Sequence, residues 1–153
     1  KHADPDMEQI QLEVVDVWHF GLSAMICGCD SLDELAAQIA EDLSAIPRES
    51  SLLEATEILA ESCITTQSFS TSAFLGLMAA SDLSFEQLYR MYVGKNVLNF
   101  FRQDHGYKDG SYIKIWAGRE DNEHLSDLLV RLDPNQTDFA DAVYRGLAEA
   151  YPG

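Results

Sequence analysis

The sequence predicts an all-α protein, a helical bundle, on three observations. Helix-capping signals recur along nearly the whole chain; only one short segment, "SYIKIWAG", alternates β-type residues; and 46% of the 153 residues are hydrophobic. A chain of this size buries about two-thirds of its unfolded surface on folding. One domain with a real core, residues 1–153, is therefore expected.

The elements follow in order. Asp4-Pro5-Asp6 opens a first helix, since Pro suits the first turn and acids face the positive end of the dipole. That helix runs to about Cys27, where Gly28 ends it. Ser31, with Glu34 three residues on in capping-box position, starts a second helix through "LDELAAQIAEDLSAI" to Pro47. A third covers "SSLLEATEILAESCITT" and a short apolar fourth covers "TSAFLGLMAA". Ser84, with Gln87 as acceptor, caps "FEQLYRMYVGKNVLNFFRQDH", which Gly106 and Gly110 break. "SYIKIWAG" reads as an ordered extended loop, because no partner strand is evident. "EDNEHLSDLLVRL" and "TDFADAVYRGLAEAY" finish the bundle. No internal repeat, low-complexity tract or linker interrupts it.

Composition narrows the partners. A formal net charge of -16 and a pI near 4.3 repel nucleic acid and anionic membranes at long range, so partners are expected to be small, cationic or metal-bridged. The three cysteines, Cys27, Cys29 and Cys63, make a disulfide framework unlikely and point to a reducing compartment. Cys27-Gly-Cys29 lacks a second pair for zinc, and small buried residues near a helix end is the favoured interpretation. With no secretory signal and no unbroken run of about 18 apolar residues, a soluble cytoplasmic or otherwise intracellular protein is expected.

On a wheel of about 100° per residue, Gln9, Glu13, Asp16, Phe20, Ser23 and Cys27 fall in one stripe of the first helix. The other faces hold Ile10, Leu12, Val14, Val15, Val17, Trp18, Leu22, Ala24, Met25 and Ile26. A helix apolar nearly all round is expected to be buried, and buried carboxylates need a positive partner. Glu13 and Asp16, three apart, aim the same way and suit oxygen-only coordination of Mg²⁺; equally, they could pair with Lys or Arg on a neighbour. Phe20 shares this polar stripe and could offer its ring to a base. His19 points away from it, as a core or supporting histidine.

Six of the ten Lys and Arg residues lie between positions 90 and 119. Lys95, Asn99 and Arg102 share a helical face over about 10 Å, roughly the reach of a polyphosphate. Arg presents a planar fork to phosphate oxygens and Lys a point charge. The alternative is a basic face paired with acidic neighbours, which 26 acids make easy. The glycine-punctuated loop that follows, with Tyr107, Lys114, Trp116 and Asn122 at its tips, favours a polyanion site, although it is neither a Walker motif nor a Rossmann fingerprint.

"LEVVDVWHF", a Glu-x-x-Asp helix ending in His-Phe, and "GKNVLNFFRQDHGYKDGSYIKIWAGREDN" resemble the two motifs of the dimeric all-α dUTPases, relatives of the MazG-like nucleotide pyrophosphatases. Residues 28–84 add no motif of their own. The resemblance implies a bundle of the all-α NTP pyrophosphatase type that hydrolyses dUTP, and also dUDP, to dUMP with Mg²⁺, in a homodimer. By position it makes Glu13 and Asp16 metal ligands and has Phe20 stack on uracil. It places Lys95, Asn99, Arg102, Tyr107, Lys114 and Asn122 on phosphates and sugar.

The same resemblance calls for a Glu-x-x-Glu pair on a preceding helix, which supplies further metal ligands and the general base. No such pair precedes Glu13, and Glu8 stands on the same helix rather than a facing one. The chain opens at Lys1 without Met, so that helix, and with it the catalytic base, is expected upstream of Lys1. Two alternatives stay open: a related pyrophosphatase for another nucleotide, and a non-catalytic acidic helical module that binds a protein. Arg102→Ala is expected to weaken catalysis while leaving the fold intact.

Overall fold

The computed structural model describes residues 6–153, among which it holds seven helices and one short hairpin. The all-α expectation therefore holds. The chain divides into two compact units, Lys1–Phe85 and Glu86–Gly153.

In the first unit, α1 (Met7–Gly28) starts where the Asp6 carboxylate accepts the Gln9 N–H at 3.2 Å. The Asp4-Pro5 part of the expected opener lies outside the described residues. α2 (Leu32–Leu43), α3 (Leu52–Thr66) and α4 (Thr71–Ala80) start the same way, with Ser31, Ser51 and Ser70 each accepting an N–H from three residues on. α2 stops at Ser44, short of the expected Pro47, because the Ser44 hydroxyl bonds back to Ala40 O at 2.6 Å while Pro47 disfavours helix before it.

The core of this unit forms where α1 and α4 meet. Trp18 stacks on Phe74 with centroids 5.0 Å apart, and Phe69 lies edge-on to Trp18 at 6.1 Å. Gly21 leaves the space that the Phe69 ring enters. Val14, Val15, Ala55, Leu59, Leu77, Met78 and Leu83 complete the buried set. The Gln11 amide donates to the carbonyls of Ser81 and Asp82 at 2.9 and 3.2 Å, tying α1 to the end of α4. Thr71 donates to Asp42, joining α4 to α2.

Two expectations are corrected here. α1 is not buried all round: only Val14, Val15, Trp18 and Gly21 are buried, and Val17 and Ile26 are exposed. Its 22 residues outreach the ten of α4, about 33 Å against 15 Å, so α4 covers only part of one side. Nor are the cysteines buried: all three are free thiols, Cys27 exposed and the other two half-buried. Among the described residues α1 is also the one helix long and apolar enough to cross a membrane, with a mean hydropathy of 1.2 over its most apolar 18-residue window. That figure is an average, since Glu13 and Asp16 interrupt the apolar residues.

The second unit is built on α5 (Phe85–Asp104), followed by the hairpin β1 (Ile115–Trp116) and β2 (Arg119–Glu120), α6 (Asp121–Arg131) and α7 (Phe139–Ala150). The hairpin corrects the unpaired loop expected over "SYIKIWAG": Ile115 pairs with Glu120 and Trp116 with Arg119. Its two turn residues, Ala117 and Gly118, both take positive φ, 49° and 82°, which matches the twist of a two-residue hairpin. Trp116 is buried against Phe101, and its indole donates to Ile113 O at 2.5 Å. Val97, Leu98, Leu125, Leu129, Phe139, Val143 and Leu147 surround these rings.

Candidate functional site

The acidic stripe sits on α1, as the wheel placed it, but at the surface. Glu13 is exposed and accepts from the Gln9 amide at 2.7 Å; Asp16, one turn on, is half-buried. Phe20 is 77% exposed, so its ring forgoes roughly 1.5–3 kcal/mol of burial. A large apolar side chain on a carboxylate-bearing face suits a planar apolar ligand. The carboxylates supply hard oxygen donors at i and i+3, which fit Mg²⁺ in kind. Among the described residues no group of three or more His, Cys, Asp or Glu side chains is clustered for a metal.

The other candidates lie in the second unit. Lys95, Asn99 and Arg102 follow one another along α5, Lys95 half-buried and Asn99 exposed. Arg102 brings in the residue that the sequence reading missed: Asp121, the first residue of α6, whose side chain is wholly shielded from solvent. Nε and Nη2 of Arg102 donate to Asp121 Oδ2 and Oδ1 at 2.7 and 2.9 Å, a two-point grip, and Nη1 reaches Asn99 Oδ1 at 3.4 Å. The Tyr112 hydroxyl adds a third bond to Asp121 Oδ2 at 2.9 Å.

This network sets the local electrostatics. Burial alone would raise the Asp121 carboxyl, but the bonds from Arg102 and Tyr112 outweigh it and hold the group below the usual carboxylate range. The same bond to Asp121 raises Arg102 further, and burial followed by the Asp121 bond pushes the Tyr112 phenol well up. All three keep their ordinary charge states near neutrality. Arg102 is thus in part what the alternative reading held, a basic residue paired with an acid, and its Nη1 faces Asn99.

Tyr107 closes the turn after α5: its N–H donates to Arg102 O at 2.9 Å, and its half-exposed ring meets Tyr112 edge-on at 6.0 Å. Lys114 pairs with Glu120 at 3.2 Å, both about half exposed, a contact worth little in stability. Its carbonyl accepts the Asp121 N–H at 3.0 Å. Asn122 follows Asp121 on the exposed side of α6. The structure therefore joins Asn99, Arg102, Tyr107 and Lys114 around Asp121, with Lys95 further back along α5 and Asn122 next to it in sequence.

A protein-family model described as dUTPase matches residues 1–107. The matched segment holds Glu13, Asp16, Phe20, Lys95, Asn99, Arg102 and Tyr107; Lys114, Asp121 and Asn122 lie beyond it. No curated protein matches the chain.

Proposed function

The chain belongs to the all-α dUTPase family that its residues 1–107 match and is a dUTP diphosphatase; from that premise we propose that it takes dUTP, and also dUDP, to dUMP with Mg²⁺ held by Glu13 and Asp16. The single observation carrying the phosphate half is the cationic run Lys95, Asn99 and Arg102 on α5, within the matched residues.

When bound, Mg²⁺ would neutralise phosphate charge and lower the pKa of a coordinated water. Glu13 and Asp16 would hold the ion through their carboxylate oxygens. Lys95 and the N–H groups of Arg102 that Asp121 leaves donate to phosphate oxygens and stabilise negative charge as the pyrophosphate bond breaks. The Asn99 and Asn122 amides and the Tyr107 hydroxyl donate to phosphate or sugar oxygens, and Lys114, half exposed beside Glu120, adds a positive charge. Phe20 presents its exposed ring to uracil. The general base is assigned to none of these residues. An intracellular homodimer completes the reading.

The test measures hydrolysis of dUTP, dUDP and the four common deoxynucleoside triphosphates, with Mg²⁺ and after chelation. Turnover of dUTP well above the others, lost with chelation and restored by Mg²⁺, is expected. Comparable rates on all would favour a pyrophosphatase of broader base selection, and rates indifferent to chelation would remove Glu13 and Asp16 from metal binding.

A further inference from the structure

We propose that Asp121 is the positioning residue for the cationic half of the dUTP site: a buried carboxylate that fixes Arg102 directly and, through Tyr112 and the main chain, Tyr107 and Lys114. The inference rests on the phosphate role given above to those three residues. Four observations converge on it. Asp121 has no exposed side-chain area, so it acts only through its neighbours. Both its oxygens are taken up by Arg102, at 2.7 and 2.9 Å, and one also accepts from Tyr112 at 2.9 Å. Its own N–H holds the Lys114 carbonyl at 3.0 Å. Tyr112, fixed by that bond, meets the Tyr107 ring edge-on at 6.0 Å.

An arginine side chain is long and loses its rotamer freedom only when gripped. A carboxylate on Nε and Nη2 leaves the N–H groups of Nη1 and the second N–H of Nη2 aimed elsewhere, so Asp121 sets which donors Arg102 can present. It does so from the start of α6, linking α5 and the following loop through one oxygen pair. A small misplacement of a charged group costs more in phosphoryl transfer than in binding the base, because charge develops on the phosphates.

The experiment compares Asp121→Asn, Tyr112→Phe, Arg102→Gln and the Asp121→Asn/Arg102→Gln pair, each checked for folding by its melting transition. Asp121→Asn should lower kcat/KM for dUTP by about 100-fold, and Tyr112→Phe by roughly threefold to tenfold. Inhibition by deoxyuridine, which lacks phosphates, should stay unchanged, whereas a merely structural role would weaken both. The pair should be no worse than Arg102→Gln alone, since Asp121 acts through it.

Full kcat/KM in folded Asp121→Asn, when Arg102→Gln is impaired, overturns the inference and leaves the phosphate site standing. Fully additive losses, or deoxyuridine binding lost in step, also overturn it. Unimpaired Arg102→Gln removes the phosphate role and the inference with it. Should Asp121→Asn fail to fold, Tyr112→Phe decides: the stated loss supports the inference and wild-type kinetics overturn it.

Discussion

Arg102 carries two roles that its position in the sequence does not separate. As a donor toward phosphate it could be truncated with the fold intact, which is what the spacing alone leads one to expect. Asp121 changes that outcome, because Arg102→Ala leaves a carboxylate with no exposed area and without its charged partner. Breaking such a pair costs about 3–5 kcal/mol, so Arg102→Ala is expected to lose both turnover and stability; a denaturant midpoint equal to wild type would contradict this. The sign with pH follows from the depressed Asp121 carboxyl. Its contribution is fully present above the unfolded carboxyl pKa of about 3.9 and is lost as pH falls through the lower folded value. Asp121→Asn should therefore be less stable than wild type at pH 6, and the gap should narrow by pH 3 in urea melts. A gap that stays constant would show that the carboxylate titrates alike in both states. Nothing in the sequence marks which of 26 acids faces Arg102, since the two stand 19 positions apart with a hairpin between them.

Helices were legible because their signals are local. Asp6, Ser31, Ser51 and Ser70 each accept an N–H three residues on, and those bonds can be read from residue type and spacing. The hairpin was not legible, for a related reason: Ala117-Gly118 is not the Asn-Gly pair that announces a two-residue turn, and Ala at positive φ is unusual. Burial around α1 also escaped the wheel, which gives directions but not the lengths of the neighbours. One prediction belongs at this scale. Gly21→Ala would gain about 1 kcal/mol of helix propensity in isolation. In the structure its new Cβ meets the Phe69 ring, which Trp18 and Phe74 hold in place. Overpacking of this kind costs about 1–3 kcal/mol, so the variant should melt lower than wild type, and near-UV circular dichroism should report altered aromatic packing. A higher melting temperature would show that Phe69 swings aside freely.

The charge of the whole molecule sets how a substrate approaches. The net charge is -16, and it is unevenly shared: Lys1–Phe85 has 15 acids and two basic residues, while Glu86–Gly153 has 11 acids and eight basic residues. A nucleoside triphosphate is itself an anion, even with one Mg²⁺ bound, so the far field of this protein repels the ligand that Lys95, Asn99 and Arg102 would hold at close range. Which wins depends on reach. At about 10 mM salt the Debye length is about 30 Å and the summed charge is felt; at 150 mM it is about 8 Å and only nearby residues matter. Added monovalent salt should therefore screen the repulsion first, and kcat/KM for dUTP is expected to rise severalfold over that range at fixed free Mg²⁺, the reverse of an enzyme steered by a basic cleft. A steady fall with salt would mean that the cationic cluster of the second unit governs approach, and that the 15 acids of the first shape solubility rather than encounter.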